Sequence, residues 1–496
     1  MKKLLSVLLV LFVFVISAGS ASADGTTNRI DGKDRFDVAV KLSHRGWPTS
    51  AEKVVLVNYT AFADALAATP LAYRFNAPIL LTEPTKLNST TKLEIQRLKP
   101  KEVVIIGGTA SVSDGIVSEL KAISVPSVRR IDGNDRFEVS GNIAKEMPVS
   151  AKVIVAYGLN FPDALSIAPY AARNGFPILL TETNSLPVKT KEAISLRKPS
   201  SSIIVGGTGS ISQNVSNQLP SPLRIGGADR YEVSANIVRT LNLPTGTSFV
   251  ATGLTFADAL TGSVVAAKEN SPILLTGKDT IPQPIRLLVA DKDIHNFLIL
   301  GGTGSVSQII PNQLTGPLAR LKIVVDAGHG GFDPGADGFG IDEKDITLDV
   351  AKRTKSKLES AGAAIVMTRE SDTYPTLSDR VELANSQHAN SFISVHINSG
   401  PSTASGSETY WNSQYFGPES KALAQSIQTQ LVNKMETRDR GVKEADFYVI
   451  KYTTMPSVLV ELAFITNADD NAKLKSVYYR DRAAEAIYLG TLNYYK

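Results

Sequence analysis

The sequence predicts an α/β protein in which parallel sheets are covered by helices, and two observations support this class. Short runs of Val, Ile and Leu are bounded by Gly, Pro and Asn without polar alternation, for example at 54–57, 79–81 and 103–106. Such runs are typical of parallel strands that are buried on both faces. Helical patterns lie between them, at 36–42 and 61–73, and strands that alternate with helices favour a parallel sheet with helices on its faces.

The chain is too long for a single hydrophobic core. Its 496 residues correspond to roughly three or four domains of ordinary size. Hydrophobic residues make up 43% and charged residues 20% of the chain, which is usual for globular proteins. Because the sequence contains no cysteine, disulfides, thiol nucleophiles and thiolate zinc sites are excluded, and any metal must be held by His, Asp or Glu.

The N-terminal segment 1–23 has the pattern of a secretory signal peptide. Lys2 and Lys3 precede an apolar run at 4–16, which only Ser6 interrupts, and the small-x-small segment 21–23 follows. The apolar run is too short to span a bilayer comfortably, so we expect cleavage before Asp24, with an uncleaved anchor as the alternative. No other segment approaches about 20 apolar residues. We therefore expect a secreted protein with no membrane span.

Three copies of one pattern follow this segment. Each copy begins with R-I-x-G-x-D-R-[FY], continues through F-x-D-A, and ends with an apolar run that leads into Gly-Gly-Thr. The three landmarks of each copy start at Arg29, Phe62 and Gly107, at Arg130, Phe161 and Gly206, and at Arg224, Phe256 and Gly301. The period of 94 to 101 residues is too long for a solenoid unit and matches a small domain.

The repeats set the predicted domain boundaries. The linker at 217–224 is echoed at 312–320, but the chain then enters a new apolar run at 321–325 in place of a fourth repeat. The predicted domains are the signal peptide 1–23, the repeats 24–122, 123–219 and 220–318, and a different C-terminal domain at 319–496.

Charge is distributed unevenly between these parts. Residues 24–320 carry 31 Lys and Arg against 25 Asp and Glu, whereas residues 321–496 carry 19 against 23. A mildly basic surface favours polyanionic partners. The sequence contains no nucleic-acid motif, so we expect no nucleic-acid partner and favour extracellular anionic polymers.

The triplicated pattern resembles the type-2 cell-wall-binding repeat of Gram-positive surface proteins. The resemblance implies three Rossmann-like parallel-sheet modules around a pseudo-threefold axis. It also implies binding to anionic wall polymers of the teichoic-acid type, and hence localisation in the cell wall. Which residues contact the polymer stays open. By residue type, pairs such as Asp34 and Arg35 favour structural bridges over ligand contacts, and Gly-Gly-Thr favours a turn because no phosphate-loop Lys follows.

Two histidines and two glutamates of the C-terminal domain follow predicted strands or open a helix. The strands are predicted at 321–325, 391–395 and 457–460, and they are followed in turn by His329, His396 and Glu461. Glu343 opens a helical pattern at 342–358, with Gly362 as its stop. Functional sites of open α/β sheets gather at the carboxyl ends of strands.

These residue types match the requirements of a hydrolytic zinc site. Such a site uses three nitrogen or carboxylate ligands and keeps one position for a water, whose pKa falls toward about 7. Two His and one Glu meet that requirement, and a second, unligated Glu can take the proton of the water and pass it to a leaving amine. Spacing alone does not decide the matter, because a single His after a strand is more often packed or solvated.

The motifs D-x-G-H-G-G, E-K-D-I-x-L-D-V-A, S-x-H-x-N and V-E-x-A-F-I-T-N occur in this order. Together they resemble the zinc N-acetylmuramoyl-L-alanine amidases of the third amidase family, over residues 321–496. The resemblance implies that His329, Glu343 and His396 bind Zn²⁺, that Glu461 is the catalytic glutamate, and that peptidoglycan is the substrate. Members cut the amide between the lactyl group of N-acetylmuramic acid and L-alanine, and many have proline where this chain has Ala327. Both halves together are similar to the modifier-dependent vegetative autolysin amidases of bacilli, which implies a protein modifier as a further partner.

Other polar residues keep two interpretations. We interpret His44, His295 and His388 as solvated or structural. Substrate contacts are open to Asn398, Arg440 and Asn467, although a turn or cap role suits the two asparagines equally. Asp326 either orients a ligand imidazole or caps the turn that follows it.

Three other functions compete with the amidase. A glycosidase with paired carboxylates leaves His329 and His396 without a role. A non-enzymatic surface protein with a degenerate amidase domain is not favoured, because all four chemical positions are filled. A zinc endopeptidase that cuts within the stem peptide would have the same site and differ in its products. The stem-peptide preference and the physiological role stay open.

Overall fold

The structure is a computed structural model that describes residues 25–496. The predicted signal peptide at 1–23 lies outside the described residues. The predicted α/β class is confirmed: the described part contains three four-stranded parallel sheets, a six-stranded mixed sheet and a two-stranded ribbon. Within residues 25–496, no helix combines the length and the apolar character needed to cross a membrane.

The three repeats have the same order of strands and helices. The first contains β1 (Thr26–Ile30), α1 (Arg35–Gly46), β2 (Lys53–Asn58), α2 (Phe62–Ala65), α3 (Ala68–Arg74), β3 (Ile79–Thr82), α4 (Ser89–Leu98), β4 (Glu102–Ile106) and α5 (Asp114–Ala122). The second contains β5 (Ser127–Ile131), α6 (Arg136–Lys145), β6 (Lys152–Tyr157), α7 (Pro162–Arg173), β7 (Ile178–Thr181), α8 (Val188–Arg197), β8 (Ser201–Val205) and α9 (Gln213–Ser216). The third contains β9 (Pro222–Ile225), α10 (Arg230–Thr240), β10 (Ser248–Thr252), α11 (Ala257–Lys268), β11 (Ile273–Thr276), α12 (Gln283–Asp291), β12 (Asn296–Leu300) and α13 (Ile309–Leu314).

One predicted helix is split in two. The pattern at 61–73 suggested a single helix, but the structure has α2 and α3 with a break between Ala65 and Ala68. Pro70 lies in the first turn of α3, where the missing N–H of proline removes no helical hydrogen bond. The break therefore places Pro70 in the first turn of a helix, whereas a continuous helix would place it in the interior.

The sheets do not follow the repeat boundaries. The first strand of each repeat pairs in parallel with the last strand of the preceding repeat, so β5 joins β4 and β9 joins β8. The very first strand, β1, pairs with β12 of the third repeat. The sheet orders are β3-β2-β4-β5, β7-β6-β8-β9 and β11-β10-β12-β1. Each module thus takes one edge strand from its neighbour, and the exchange closes the three modules into a ring.

The centre of this ring has near-threefold symmetry, as the resemblance implied. The rings of Phe62, Phe161 and Phe256 lie 5.8 to 6.2 Å apart, centroid to centroid. The helices α3, α7 and α11 pack against one another around them. Helix α11 is buried from Ala257 to Ala267, because a helix at such a centre has no face left for solvent.

The repeated polar residues have structural roles. In each D-R-[FY] segment the Asp caps the following helix, with Oδ1 accepting from two backbone N–H groups at 2.8 to 2.9 Å. The first Arg of each repeat donates to the first carbonyl of the Gly-Gly turn in the module whose sheet its strand joins. These contacts are Arg29 to Gly301 at 2.9 Å, Arg130 to Gly107 at 2.8 Å and Arg224 to Gly206 at 3.0 Å. The Arg residues therefore reinforce the same connections as the exchanged strands.

The C-terminal domain has a mixed sheet in the order β16-β13-β17-β20-β18-β19. The pair β18 and β20 is antiparallel, and because β19 is parallel to β18, these two strands run opposite to the other four. Its elements are β13 (Lys322–Ala327), β14 (Asp337–Gly338), β15 (Ile341–Asp342), α14 (Glu343–Ser360), β16 (Ala364–Met367), α15 (Leu377–Ser386), β17 (Ser391–Asn398), β18 (Ser407–Trp411), α16 (Gly417–Met435), β19 (Asp439–Glu444), α17 (Tyr448–Lys451), β20 (Ser457–Phe464), α18 (Ala468–Lys475) and α19 (Val477–Tyr494).

The C-terminal domain is docked on the third repeat. Arg286 of α12 donates from Nη1 to the carbonyl of Glu359 at 2.8 Å and from Nη2 to Oε1 of Gln313 at 3.0 Å. Gln283 donates to the carbonyl of Ile365 at 3.1 Å. Arg286 is buried, and these hydrogen bonds satisfy its guanidinium at the contact between the two domains.

Candidate metal centre

His329 lies in the glycine-rich turn that follows β13. Its backbone is left-handed, with φ of 60°, and its carbonyl accepts from Nη2 of Arg380 at 2.9 Å. Its Nδ1 lies 2.8 Å from Oδ2 of Asp333, which leaves Nε2 facing Glu343 at 3.2 Å. A Cβ at Gly328 would lie 2.4 Å from the ring of His396. Glycine at 328 therefore allows His396 to approach this turn.

Glu343 is the first residue of α14 and is buried. Its Oε2 accepts from the backbone N–H of Ala336 at 2.9 Å, and its Oε1 accepts from that of Ile397 at 2.8 Å. Oε1 also lies 3.0 Å from Nδ1 of His396. Although burial opposes ionisation, hydrogen bonds with His329 and His396 hold the pKa of Glu343 well below its usual range. The residue is therefore a carboxylate, as a metal ligand must be.

The ligand atoms of His329, Glu343 and His396 all lie within 4.8 Å of one another. The two closest separations, between an imidazole nitrogen and a carboxylate oxygen, are 3.0 and 3.2 Å. Two ligands about 2.0–2.1 Å from a tetrahedral zinc are separated by about 3.3 Å. The three side chains thus have the chemistry and the spacing that zinc requires.

Glu461 is the direct neighbour of this group across the sheet. It pairs with His396 of β17 on one side and with Glu408 of β18 on the other. Its Oε2 is buried and has no hydrogen-bond partner in the structure. Burial, followed by the negative charges of Glu343 and Glu408, raises the pKa of Glu461 well above its usual value. A carboxyl group with a buried, unpartnered oxygen beside the candidate ligand group suits a residue that must both accept and donate a proton there.

The strands that carry these residues extend further than the apolar runs suggested. The runs at 391–395 and 457–460 placed His396 and Glu461 at or beyond the strand ends, but β17 continues to Asn398 and β20 to Phe464. Both residues therefore lie inside the sheet. A register shift between His396 and Asn398 marks the place, and such irregularities are common next to active sites.

Asp326 has neither of the roles proposed for it from the sequence. It is fully buried and accepts from Nη1 of Arg380, Oγ1 of Thr368 and Oγ of Ser394, each at 2.6 Å. Arg380 in turn donates to the carbonyls of Ala327 and His329. Asp326 thus positions Arg380, and Arg380 positions the turn that carries His329.

Outside the candidate ligand group, the carboxylate that contacts one of its imidazoles is Asp333, which the sequence analysis missed. It lies only four residues after His329 in the same turn, and a carboxylate at such a place is a usual partner of a metal-binding imidazole. Glu408 was missed as well, and no motif marks it. It is buried and accepts from Asn398, from Tyr410 at 2.9 Å and from Nε of Arg440 at 2.8 Å.

The remaining predicted candidates lie in different places. Asn398 and Arg440 both belong to the cluster around Glu408, whereas Asn467 caps α18 by accepting from the N–H of Asp470 at 3.2 Å. His388 is exposed. His44 is exposed as well and His295 is half-buried, and each contacts one carboxylate, Glu94 at 3.0 Å and Asp293 at 3.1 Å.

Two protein families match this chain. Residues 323–493 match the family described as N-acetylmuramoyl-L-alanine amidase. Residues 29–117, 130–216 and 224–310 each match the family described as cell wall binding domain 2.

Similarity to individual proteins extends over the full length. The chain is 42% identical to N-acetylmuramoyl-L-alanine amidase LytC of Bacillus subtilis (strain 168), with 100% of both chains covered. A protein of the same organism called amidase enhancer is 39% identical over 58% of this chain and 40% of its own length. Among solved structures, Cwp6 from Clostridium difficile has a TM-score of 0.59 at 31% identity, covering 95% of this chain and 80% of that chain.

These matches cover both the repeats and the domain that contains the His-Glu-His group. The similarity to LytC covers 100% of each chain and so extends over both parts. The chain therefore belongs to the N-acetylmuramoyl-L-alanine amidases, and within them it combines an amidase domain with three cell wall binding repeats.

Proposed function

We propose that this protein is a secreted autolysin, a zinc-dependent amidase that cuts the bond between N-acetylmuramic acid and L-alanine of the stem peptide in peptidoglycan. One observation supports this function above the others. Three side chains suited to zinc, His329, Glu343 and His396, are grouped beside Glu461, whose buried Oε2 has no partner. A ligand group with an adjacent unpaired carboxylate is the arrangement that metal-assisted amide hydrolysis requires.

In this proposal different side chains bind the metal, transfer the proton and position the binding residues. His329, Glu343 and His396 would hold the zinc, which would supply Lewis acidity and make a water nucleophilic near neutral pH. Glu461 accepts the proton of that water at Oε2 and returns it to the nitrogen of the leaving L-alanine. Asp333 keeps the imidazole of His329 oriented through Nδ1, and Arg380 holds the backbone of the same turn.

The repeats anchor the enzyme to its substrate in the same proposal. Residues 24–320 have an excess of positive charge, which favours a polyanion, and we assign them to anionic wall polymers of the teichoic-acid type. The signal segment at 1–23 places the enzyme outside the cell. A protein modifier is a further partner in this proposal, as the resemblance of both halves together implies.

Digestion of purified cell walls tests the reaction. The wild-type protein is expected to release new L-alanine amino termini, and a chelator is expected to stop their release until zinc is restored. The variant His396→Ala is expected to lose both bound zinc and activity, because only two protein ligands remain. New reducing sugar ends would indicate a glycosidase, other new amino termini an endopeptidase, and full zinc and activity in His396→Ala would contradict the ligand assignment.

A further inference from the structure

Four neighbouring strands place one row of side chains across the sheet of the C-terminal domain. His396 of β17 pairs with Glu461 of β20, and Glu461 pairs with Glu408 of β18. Beyond β18 lies β19, which carries Arg440 and Lys443. The row therefore begins at the metal centre, passes the proposed proton carrier, and ends at two cations.

Glu408 lies between Glu461 and the two cations at the end of this row. Its side chain is 3% exposed and accepts from Asn398, Tyr410, Arg440 and Lys443. Burial opposes its ionisation, but the contacts with Lys443 and Arg440 lower the pKa of Glu408, which is thus a carboxylate. One buried negative charge is therefore shared by two positive charges, and the cluster has an excess of one positive charge.

The two cations are more exposed than the carboxylate that they share. The side chain of Arg440 is 26% exposed and that of Lys443 is 40% exposed. Arg440 uses Nε for Glu408, and the other contact of its guanidinium is a long one of 3.5 Å from Nη1 to the carbonyl of Ser405. The guanidinium also lies over the ring of Phe464, at 4.7 Å from its centroid. A fixed guanidinium with spare N–H donors is well suited to a second carboxylate.

The position of the row determines which part of a substrate could reach these cations. In the proposed function Glu461 returns a proton to the leaving nitrogen, so that nitrogen lies within hydrogen-bond reach of it. Strands lie about 4.8 Å apart, which puts β19 about 10 Å from Glu461. An extended peptide advances about 3.4 Å per residue. A leaving peptide that runs along the row, away from His396, would therefore bring its second or third residue to Arg440 and Lys443.

We propose that Arg440 and Lys443 bind a carboxylate of the leaving stem peptide, two or three residues beyond the bond that is cut. This inference rests on the proposed function, because it uses the role of Glu461 to orient the peptide. It assigns specificity to the cluster: stem peptides that keep a free carboxylate at that distance are preferred over those in which it is amidated. Glu408 acts as a positioning residue that holds both cations beside each other.

Two synthetic substrates test the preference. Both are N-acetylmuramoyl peptides that begin with L-alanine, and they differ only in whether the next two residues carry free carboxylates or carboxamides. The zinc-loaded wild-type protein is expected to have a KM at least about tenfold lower for the carboxylate form, with similar kcat. A change in KM alone indicates an interaction that is equal in the ground state and the transition state.

Variants of the two cations assign the preference to the cluster. Lys443→Gln and Arg440→Gln are each expected to raise the KM of the carboxylate form toward that of the carboxamide form, so that the preference shrinks. Arg440→Lys keeps the charge and is expected to retain part of the preference. Lys352→Gln removes one positive charge from an exposed position on α14 and is the matched control, expected to behave as wild type.

The outcomes separate this inference from the function on which it rests. Equal KM values of the wild-type protein for the two substrates overturn the inference and leave the amidase intact, as does an unchanged preference in folded Lys443→Gln. Thermal unfolding and zinc content are measured for each variant, and Lys443→Gln decides the matter if Arg440→Gln does not fold. If the wild-type protein cleaves neither substrate with zinc present, the proposed function fails and the inference fails with it.

Discussion

At the metal centre, several residues hold the proposed ligands in place without being ligands themselves. Asp333 contacts Nδ1 of His329, and the buried pair of Asp326 and Arg380 fixes the turn around it. Breaking a buried pair leaves an uncompensated charge and is strongly destabilising. The turn is therefore supported by interactions that are lost only at a high cost in stability, which suits a site that must keep its geometry with and without substrate.

Glu461 offers the sharpest separation of binding from chemistry at this scale. The change Glu461→Gln keeps the size of the side chain but cannot accept a proton, so hydrolysis is expected to fall at least about a hundredfold. Zinc content is expected to stay near that of the wild type, because Glu461 is not in the ligand group, and the unfolding temperature is expected not to fall. Hydrolysis of a soluble muramoyl peptide, metal analysis and thermal unfolding measure the three quantities.

Two results with Glu461→Gln would contradict this role. Loss of zinc would show that Glu461 is a fourth ligand. Loss of stability with unchanged activity per folded molecule would show a structural role instead.

At the scale of the elements, the F-x-D-A segment places a carboxyl group at each junction between modules, half-buried at Asp64 and Asp163 and buried at Asp258. Asp64, Asp163 and Asp258 lie near Arg136, Arg230 and Arg35, in that order, so each Asp is near an Arg of another repeat. Burial raises the pKa of all three, and for Asp163 it does so to about 6 despite the charge of Arg230. Ionisation of these three groups is therefore expected to lower the free energy of unfolding of the ring.

The pH dependence follows from the sign of this shift. Between pH 3.8 and about 6 the folded protein holds a proton on Asp163 that the unfolded chain has released. The contribution of Asp163 to stability is thus fully present below pH 3.8 and is lost as the pH rises through about 6. Asp163→Asn removes the ionisation and is expected to raise the free energy of unfolding at pH 7, on the order of 1–3 kcal/mol.

Thermal unfolding of the wild type and Asp163→Asn at pH 7 and pH 4 measures this effect, and the difference is expected to shrink at the lower pH. Asp135→Asn is the matched control, since Asn caps a helix as well as Asp does and Asp135 is the exposed N-cap of α6. Equal stability of Asp163→Asn and wild type at pH 7 would contradict the unfavourable burial.

At the scale of the whole molecule, the wall-binding repeats and the amidase domain are joined by contacts as well as by the chain. The pairing of β1 with β12 closes the ring of repeats, and α12 of the third repeat contacts β16 of the amidase domain. The buried side chain of Arg286 lies at that contact. These contacts hold the candidate metal centre in a set orientation relative to the third repeat.

Wall binding is expected to depend on charge. The inactive full-length Glu461→Gln protein lets binding be measured without digestion. It is expected to bind intact walls, and binding is expected to weaken as salt rises, because exposed charges are screened over about 10 Å at 0.1 M. Walls stripped of their anionic polymer are expected to bind much less in a sedimentation assay. Equal binding to stripped and intact walls would contradict an anionic ligand and indicate the glycan instead.

Local features of this protein were predictable because the residues that form each of them lie close together in the sequence. The triplicated pattern, the α/β class and the family follow from runs and motifs that span a few residues each. The caps of α1, α6 and α10 connect an Asp to N–H groups only two and three residues away. The grouping of His329, Glu343 and His396 followed from a motif order, although the lengths of their strands did not.

Other features depend on residues that are distant in the sequence. β1 pairs with β12 across 270 residues, and that pairing exists only once three modules have closed into a ring. Glu408 meets Glu461 and Arg440 because three strands from different parts of the chain become neighbours. The sequence by itself thus determined which residues can do chemistry and which modules repeat. Only the tertiary structure decided which charges share a buried site, because burial and cross-strand contact arise when the sheet assembles.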